Sequence, residues 1–161
     1  MLIDLADGWI VTLNVVAWFG WSAGVGYLAH RLAPARFDSE SVLTRLRGPY
    51  RRGGGYERVL RIRSWKDRLP EAGAFFAGGF SKRSIRRGDV ARYVVETRRA
   101  ETVHWYAMAL TPVFAIWNPP WAMLVIALYA VAANVPCLLV QRYNRARALR
   151  VLAVREPIAT R

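Results

Sequence analysis

At 161 residues the chain has room for one compact unit and not for two ordinary domains. It is 54% hydrophobic yet carries a formal net charge of +13, and the two properties are segregated along the chain instead of mixed. That segregation argues against a soluble nucleic-acid binder built around a helical hairpin, and the single cysteine, Cys137, excludes an intrachain disulfide. The predicted fold class is an all-α integral membrane protein, one membrane domain over residues 1–161 with about three transmembrane helices.

Residues 9–30 form the first predicted transmembrane helix. Apart from Trp and Tyr, its polar side chains up to Ala29 are Thr12, Asn14 and Ser22, and about 20 apolar residues suffice to cross a bilayer. A signal peptide fits poorly, because Asp4 and Asp7 stand where its basic region belongs. Trp9, Trp18 and Trp21 suit a retained helix with interfacial anchors.

Residues 31–88 are the predicted basic cytoplasmic and interfacial region between the first and second spans. Its first part reads as loop with a short helix around residues 39–47. The Gly53-Gly54-Gly55 run reads as a flexible linker, since no Gly-Lys-Ser/Thr follows it. In Arg61-Ile-Arg-Ser-Trp-Lys-Asp-Arg-Leu-Pro70 basic and apolar residues alternate, which suits an anionic headgroup layer. The apolar run from Gly73 to Phe80 is too short to span. It either dips into the membrane as a wedge or packs as core beneath the inner region.

From Asp89, a candidate N-cap, an amphipathic helix is predicted over residues 89–117, running into the second span with a bend at Pro112. Residues 105–140 contain no charge, and Asn118-Pro119-Pro120 breaks them in the middle. The third span covers residues 121–141, with a bend at Pro136, and residues 142–161 form a basic cytoplasmic tail. None of the 24 Lys and Arg residues precedes Arg31 and none lies in the 118–120 turn. The positive-inside rule then puts the N-terminus outside and the C-terminus inside a multi-pass protein of the cell (inner) membrane.

Three polar groups converge on the inner boundary of these spans. Glu101 and His104 are three residues apart, so they share a helix face, where a carboxylate can orient an imidazole as a general base. Asn134 is an amide within a span and needs a partner. Asn134, Gln141 and Arg145 lie on one stripe of the third helix, which a short hairpin can turn toward Glu101 and His104. A surface ion pair, an interhelical amide contact and a snorkelling basic helix end explain the same residues without catalysis. His30 and His104 are the only histidines. The lone Glu-x-x-His pair is half of a di-iron motif and no zinc pattern exists, so no metal or bound cofactor is expected.

Glu96-Thr-Arg-Arg-Ala-Glu-Thr-Val-His-Trp105 resembles the Glu-Thr-Lys/Arg-Arg-Ala-Glu-x-x-His-Trp motif of the glycosyl-4,4'-diaponeurosporenoate acyltransferases. Tyr129-Ala-Val-Ala-Ala-Asn-Val-Pro136 and Val140-Gln-Arg-Tyr-Asn-Arg145 resemble two further stretches of that family, and the Trp65-Lys66 pair sits in a similar place. The likeness covers about residues 60–150, and the middle part around residues 73–80 departs from the staphylococcal pattern. It implies the last step of staphyloxanthin-type carotenoid biosynthesis, in which a fatty acyl group is esterified onto a sugar hydroxyl of a glycosylated C30 carotenoid acid.

Under that resemblance His104 is the expected base, Glu101 its orienter, and Asn134 an oxyanion or substrate contact. Gln141 shares that contact, with Glu96 and Asn144 from the same motifs as substrate-binding candidates. Arg98, Arg99, Arg142 and Arg145 are the candidates for phosphates of an acyl-CoA or acyl carrier protein, which acts as co-substrate. The expected partners are the lipid bilayer, the glycosylated carotenoid, the fatty acyl donor and other carotenoid-pathway enzymes, with no nucleic acid. The competing expectation is a noncatalytic membrane module that binds carotenoid, lipid or a partner enzyme.

Overall fold

The computed structural model describes residues 3, 6–69 and 89–159, and all regular structure among them is helical. The Gly73 to Phe80 run lies outside the described residues. Among the described residues four α-helices carry the architecture: α1 (Asp7–Arg31), α2 (Gly54–Leu60), α3 (Val90–Ala109) and α4 (Pro120–Ala159). Two of them, α1 and residues 120–154 of α4, are long and apolar enough to cross a membrane. Only Trp18 and Ala29 are buried in helix α1. Trp9, Phe19 and Leu28 expose about two thirds of their surface, as apolar side chains do when lipid is the solvent.

Helix α3 starts where its sequence indicates. Asp89 precedes it, and the Asp89 carbonyl accepts the first bond, from the Tyr93 amide at 2.9 Å, while the Asp89 side chain makes no capping bond. The second uncharged segment departs from a single bent α-helix. Pro112 has no N–H and disfavours α geometry in Thr111, so α3 stops at Ala109 and the chain tightens into a 3₁₀ helix over Thr111–Ile116. The chain turns at Asn118, whose amide donates to the Phe114 carbonyl at 3.0 Å. Pro120 then opens α4, where its missing N–H costs nothing. Helix α4 continues unbroken through Pro136 and carries the basic segment after residue 141 as helix.

Helices α3 and α4 form an antiparallel hairpin, and α1 lies antiparallel to α3. At the turn end, Trp18, Phe114, Trp117 and Ala130 form one core. There Asn14 and Asn118 exchange two amide bonds of 2.9 and 2.8 Å, and Asn14 Oδ1 also accepts the Trp117 indole N–H at 2.7 Å. Trp21 Nε1 donates to the Tyr106 carbonyl at 2.8 Å farther along the same seam. At the opposite end a second core gathers Tyr56, Ile62, Val140 and Tyr143, and a third gathers Val90, Val94 and Ala148. The turn end carries no Lys or Arg, and the guanidinium groups of the described residues lie toward the other end.

The basic region differs from its expected outline in two places. Residues 39–47 form a turn and an extended stretch instead of a helix. Ser41 and Thr44 bond each other's backbone N–H groups, at 2.9 and 3.2 Å, and so compete with helix formation. The glycine run is not a free linker either. Gly53 takes φ +74°, which favours glycine, and packs beside Ala146 and Arg150 of α4, while Gly54 and Gly55 begin α2.

Candidate active site

Glu101 is fully buried on the α3 face that meets α4. Arg142 Nε donates to Glu101 Oε1 at 2.5 Å, and Arg145 Nη2 lies 2.6 Å from Oε2. The same two arginines reach past α3 to the loop: Arg142 Nη2 donates to the Leu43 carbonyl at 2.8 Å and Arg145 Nη2 to the Thr44 carbonyl at 2.5 Å. Arg145 is itself fully buried, and its Nε and Nη1 have no acceptor among the described residues. One carboxylate thus faces two guanidiniums at the joint of α3, α4 and the 41–44 turn. The favourable terms are one short charge-assisted bond, from Arg142, and the close charge contact with Arg145, set against the desolvation of all three groups.

The motif arginines on α3 are also committed. Arg98 Nη1 donates to the Phe37 and Asp38 carbonyls at 3.2 and 2.5 Å. Arg99 pairs with Glu96 at 3.3 Å, lies over the Phe37 ring and donates to the Leu32 carbonyl. These contacts strap the segment after α1 onto α3.

Glu101 and His104 share a face of α3, as their spacing requires, but no hydrogen bond joins them among the described residues. The physical reason is competition: two guanidiniums from α4 offer Glu101 a larger attraction than a neutral imidazole does. His104 pairs with Asn134 instead, Nδ1 to Oδ1 at 2.9 Å. Asn134 Nδ2 donates to the Ala130 carbonyl at 2.9 Å within α4. That second bond fixes the amide, because only the NH₂ group can donate to a carbonyl. Asn134 Oδ1 must therefore face the imidazole, and Nδ1 must carry the proton. Nε2 is left as the unprotonated ring nitrogen.

A sequence profile of the glycosyl-4,4'-diaponeurosporenoate acyltransferases matches residues 39–154. The chain belongs to this family. The match begins after α1 and takes in the 41–44 turn, α2, α3 and most of α4, so every residue of the Glu101 cluster and the His104–Asn134 pair falls inside it. A glycosyl-4,4'-diaponeurosporenoate acyltransferase of Staphylococcus haemolyticus is 36% identical over 100 residues, covering 60% of this chain and 58% of that protein. Staphylococcus aureus relatives of the same name are 25% identical over 141 residues, covering 85% of this chain and 84% of theirs. No solved structure matches the chain.

In this acyltransferase-family chain, Gln141 and Asn144 are half-buried on α4 beside the arginine pair. The basic region adds a feature that sequence reasoning missed. A cavity of about 320 Å³ is walled by Arg45, Arg47, Tyr50, Tyr56, Trp105 and Arg142, with Val42 and Leu43 completing it. The available signal was the alternation in Thr44-Arg-Leu-Arg47. Thr44 and Leu46 are buried while Arg45 and Arg47 are exposed, the period of an extended strand-like segment. Burial pushes the Tyr56 phenol above its ordinary value, and Arg142 partly offsets that, so the hydroxyl stays protonated.

Proposed function

We propose that the chain is a membrane acyltransferase that moves a fatty acyl group from a thioester donor to a sugar hydroxyl of a glycosylated carotenoid. The acceptor is glycosyl-4,4'-diaponeurosporenoate or a related glycolipid, and the donor is an acyl-CoA or acyl carrier protein. Family membership supports the reaction class. The observation that carries the mechanism is the chain from Ala130 through Asn134 to His104, which leaves Nε2 free to accept a proton. As the acceptor oxygen attacks the thioester carbonyl, Nε2 takes the hydroxyl proton. The tetrahedral intermediate collapses, the carbon–sulfur bond breaks, and Nε2 returns the proton to the departing sulfur. Ester and free thiol result, with no net proton change.

Asn134 is the positioning residue for His104 in this scheme, in place of Glu101. Glu101 instead holds Arg142 and Arg145. Gln141 and Asn144 contact the sugar, while Glu96, Arg98 and Arg99 hold the scaffold.

The helix arrangement supports three crossings. If α4 crosses from Pro120 toward Val140, the chain must return between the basic end and the Asn118 turn through residues 105–117. That segment lies alongside α4, since His104 sits beside Asn134. The segregated basic residues support a cytoplasmic position for the arginine end and the site beside it. The test uses purified protein in nanodiscs, given an acyl thioester and a glycosylated C30 carotenoid acid, with product analysed by mass spectrometry. Appearance of the acyl ester is expected. Absence of ester with every thioester donor, from folded protein, would overturn the proposal.

A further inference from the structure

The cavity beside the arginine pair has the chemistry of an anion site. Three of its wall residues are arginines and none is acidic. Arg142 enters it with Nε and Nη2 already bonded to Glu101 and Leu43. Behind it the Glu101, Arg142 and Arg145 cluster holds two guanidiniums against one carboxylate. No hydrogen bond or ion pair within the described residues engages Arg45 or Arg47, unlike Arg98, Arg99 and Arg145. The Trp105 ring and the protonated Tyr56 stand on the same wall.

Distance along α4 narrows the class of anion. Arg142 lies eight residues beyond Asn134, an axial rise of about 12 Å. In a glycerophospholipid the phosphate and the nearest acyl carbonyl are only a few bonds apart. In phosphopantetheine a long, linear arm separates phosphate from thioester and can cover such a rise. We infer that this cavity binds the phosphate of a phosphopantetheine-borne acyl thioester, with Arg45, Arg47 and Arg142 as its ligands. The arm then runs along α4 to deliver the thioester to His104. This rests on the acyl-transfer reading and shifts donor recognition from the motif arginines on α3 to the loop after α1.

The test measures binding of coenzyme A, without an acyl chain, to the full chain in phosphatidylcholine nanodiscs by equilibrium dialysis. Saturable binding is expected, with competition by phosphopantetheine and weakening at high salt. Arg45→Ala and Arg47→Ala should each weaken it about tenfold, the worth of one charge-assisted bond. Arg58→Ala removes an exposed charge of α2 outside the cavity and should leave it unchanged. No binding of coenzyme A or phosphopantetheine overturns the inference, as does equal weakening by all three variants. Displacement by a small fraction of phosphatidylglycerol would assign the cavity to a lipid headgroup and overturn it too. Ester formation without coenzyme A binding sinks the cavity assignment but not acyl transfer. Arginine-dependent coenzyme A binding without ester formation from any donor does the reverse.

Discussion

Replacing Glu101 by Gln separates a structural carboxylate from a catalytic one. The substitution keeps shape and removes one charge, leaving Arg145, fully buried, opposite a neutral amide. Arg142 is 28% exposed at its side chain and can turn to water, but Arg145 cannot. Breaking a buried pair in this way costs about 3–5 kcal/mol, a large part of a typical stability of about 5–15 kcal/mol. At roughly 2–4 °C per kcal/mol for a chain of this size, Tm should fall by about 6–20 °C. Thermal unfolding of purified protein in one detergent measures this directly. Arg145→Met alone strands the Glu101 charge less severely, since Arg142 still pairs with it. Combined with Glu101→Gln, it should recover a substantial part of the loss, which a double-mutant cycle quantifies. A Glu101→Gln protein with unchanged Tm would refute the buried-cluster account. Unchanged Tm with turnover lost would restore Glu101 as a direct partner of His104.

Asn134→Ala should lower turnover per folded molecule by about 10²-fold, because a misplaced base loses its alignment. Asn134→Asp should recover part of it, since a carboxylate oxygen also accepts from Nδ1–H; equal activity of Asn134→Ala and wild type in a single-turnover assay would remove the positioning role. Asn118→Ala deletes the amide pair with Asn14 and should cost about 1–3 kcal/mol in denaturant unfolding. Gly53→Ala should cost about 1–2 kcal/mol through its positive φ, while Gly54→Ala, with open space around it, should cost less; equal effects would contradict the backbone argument. In a Cys137→Ser background, cysteines placed singly at Arg47 and at the exposed Trp121 beside the turn should label from opposite faces of sealed vesicles, and labelling from the same face would contradict the three-crossing arrangement.

Much of the scaffold was legible because its signals are local. The uncharged run of α1, the start of α3 after Asp89 and the Asn118-Pro119 turn all follow from short-range chemistry. The i,i+3 spacing correctly put Glu101 and His104 on one face. It could not reveal their partners, because Arg142, Arg145 and Asn134 arrive from 30 or more residues away, and charge strength decides which carboxylate contact forms. Pro112 announced a bend, but not the core in which the tightened segment lies, where Phe114 packs against Trp18 from α1 and against Trp117. The loop after α1 was least legible. The Leu43 and Thr44 carbonyls are held by Arg142 and Arg145 of α4, about 100 residues away, and no local pattern announces such partners.

The most direct measurement is turnover per folded molecule of His104→Ala against wild type, in nanodiscs with saturating acyl thioester and glycosylated acceptor. Loss of general-base catalysis should lower the rate by about 10²–10⁴-fold with folding and membrane insertion intact. His104→Gln should do no better, because an amide cannot take the proton. A well-folded His104→Ala protein that turns over near the wild-type rate would contradict the assignment of His104 Nε2 as the base.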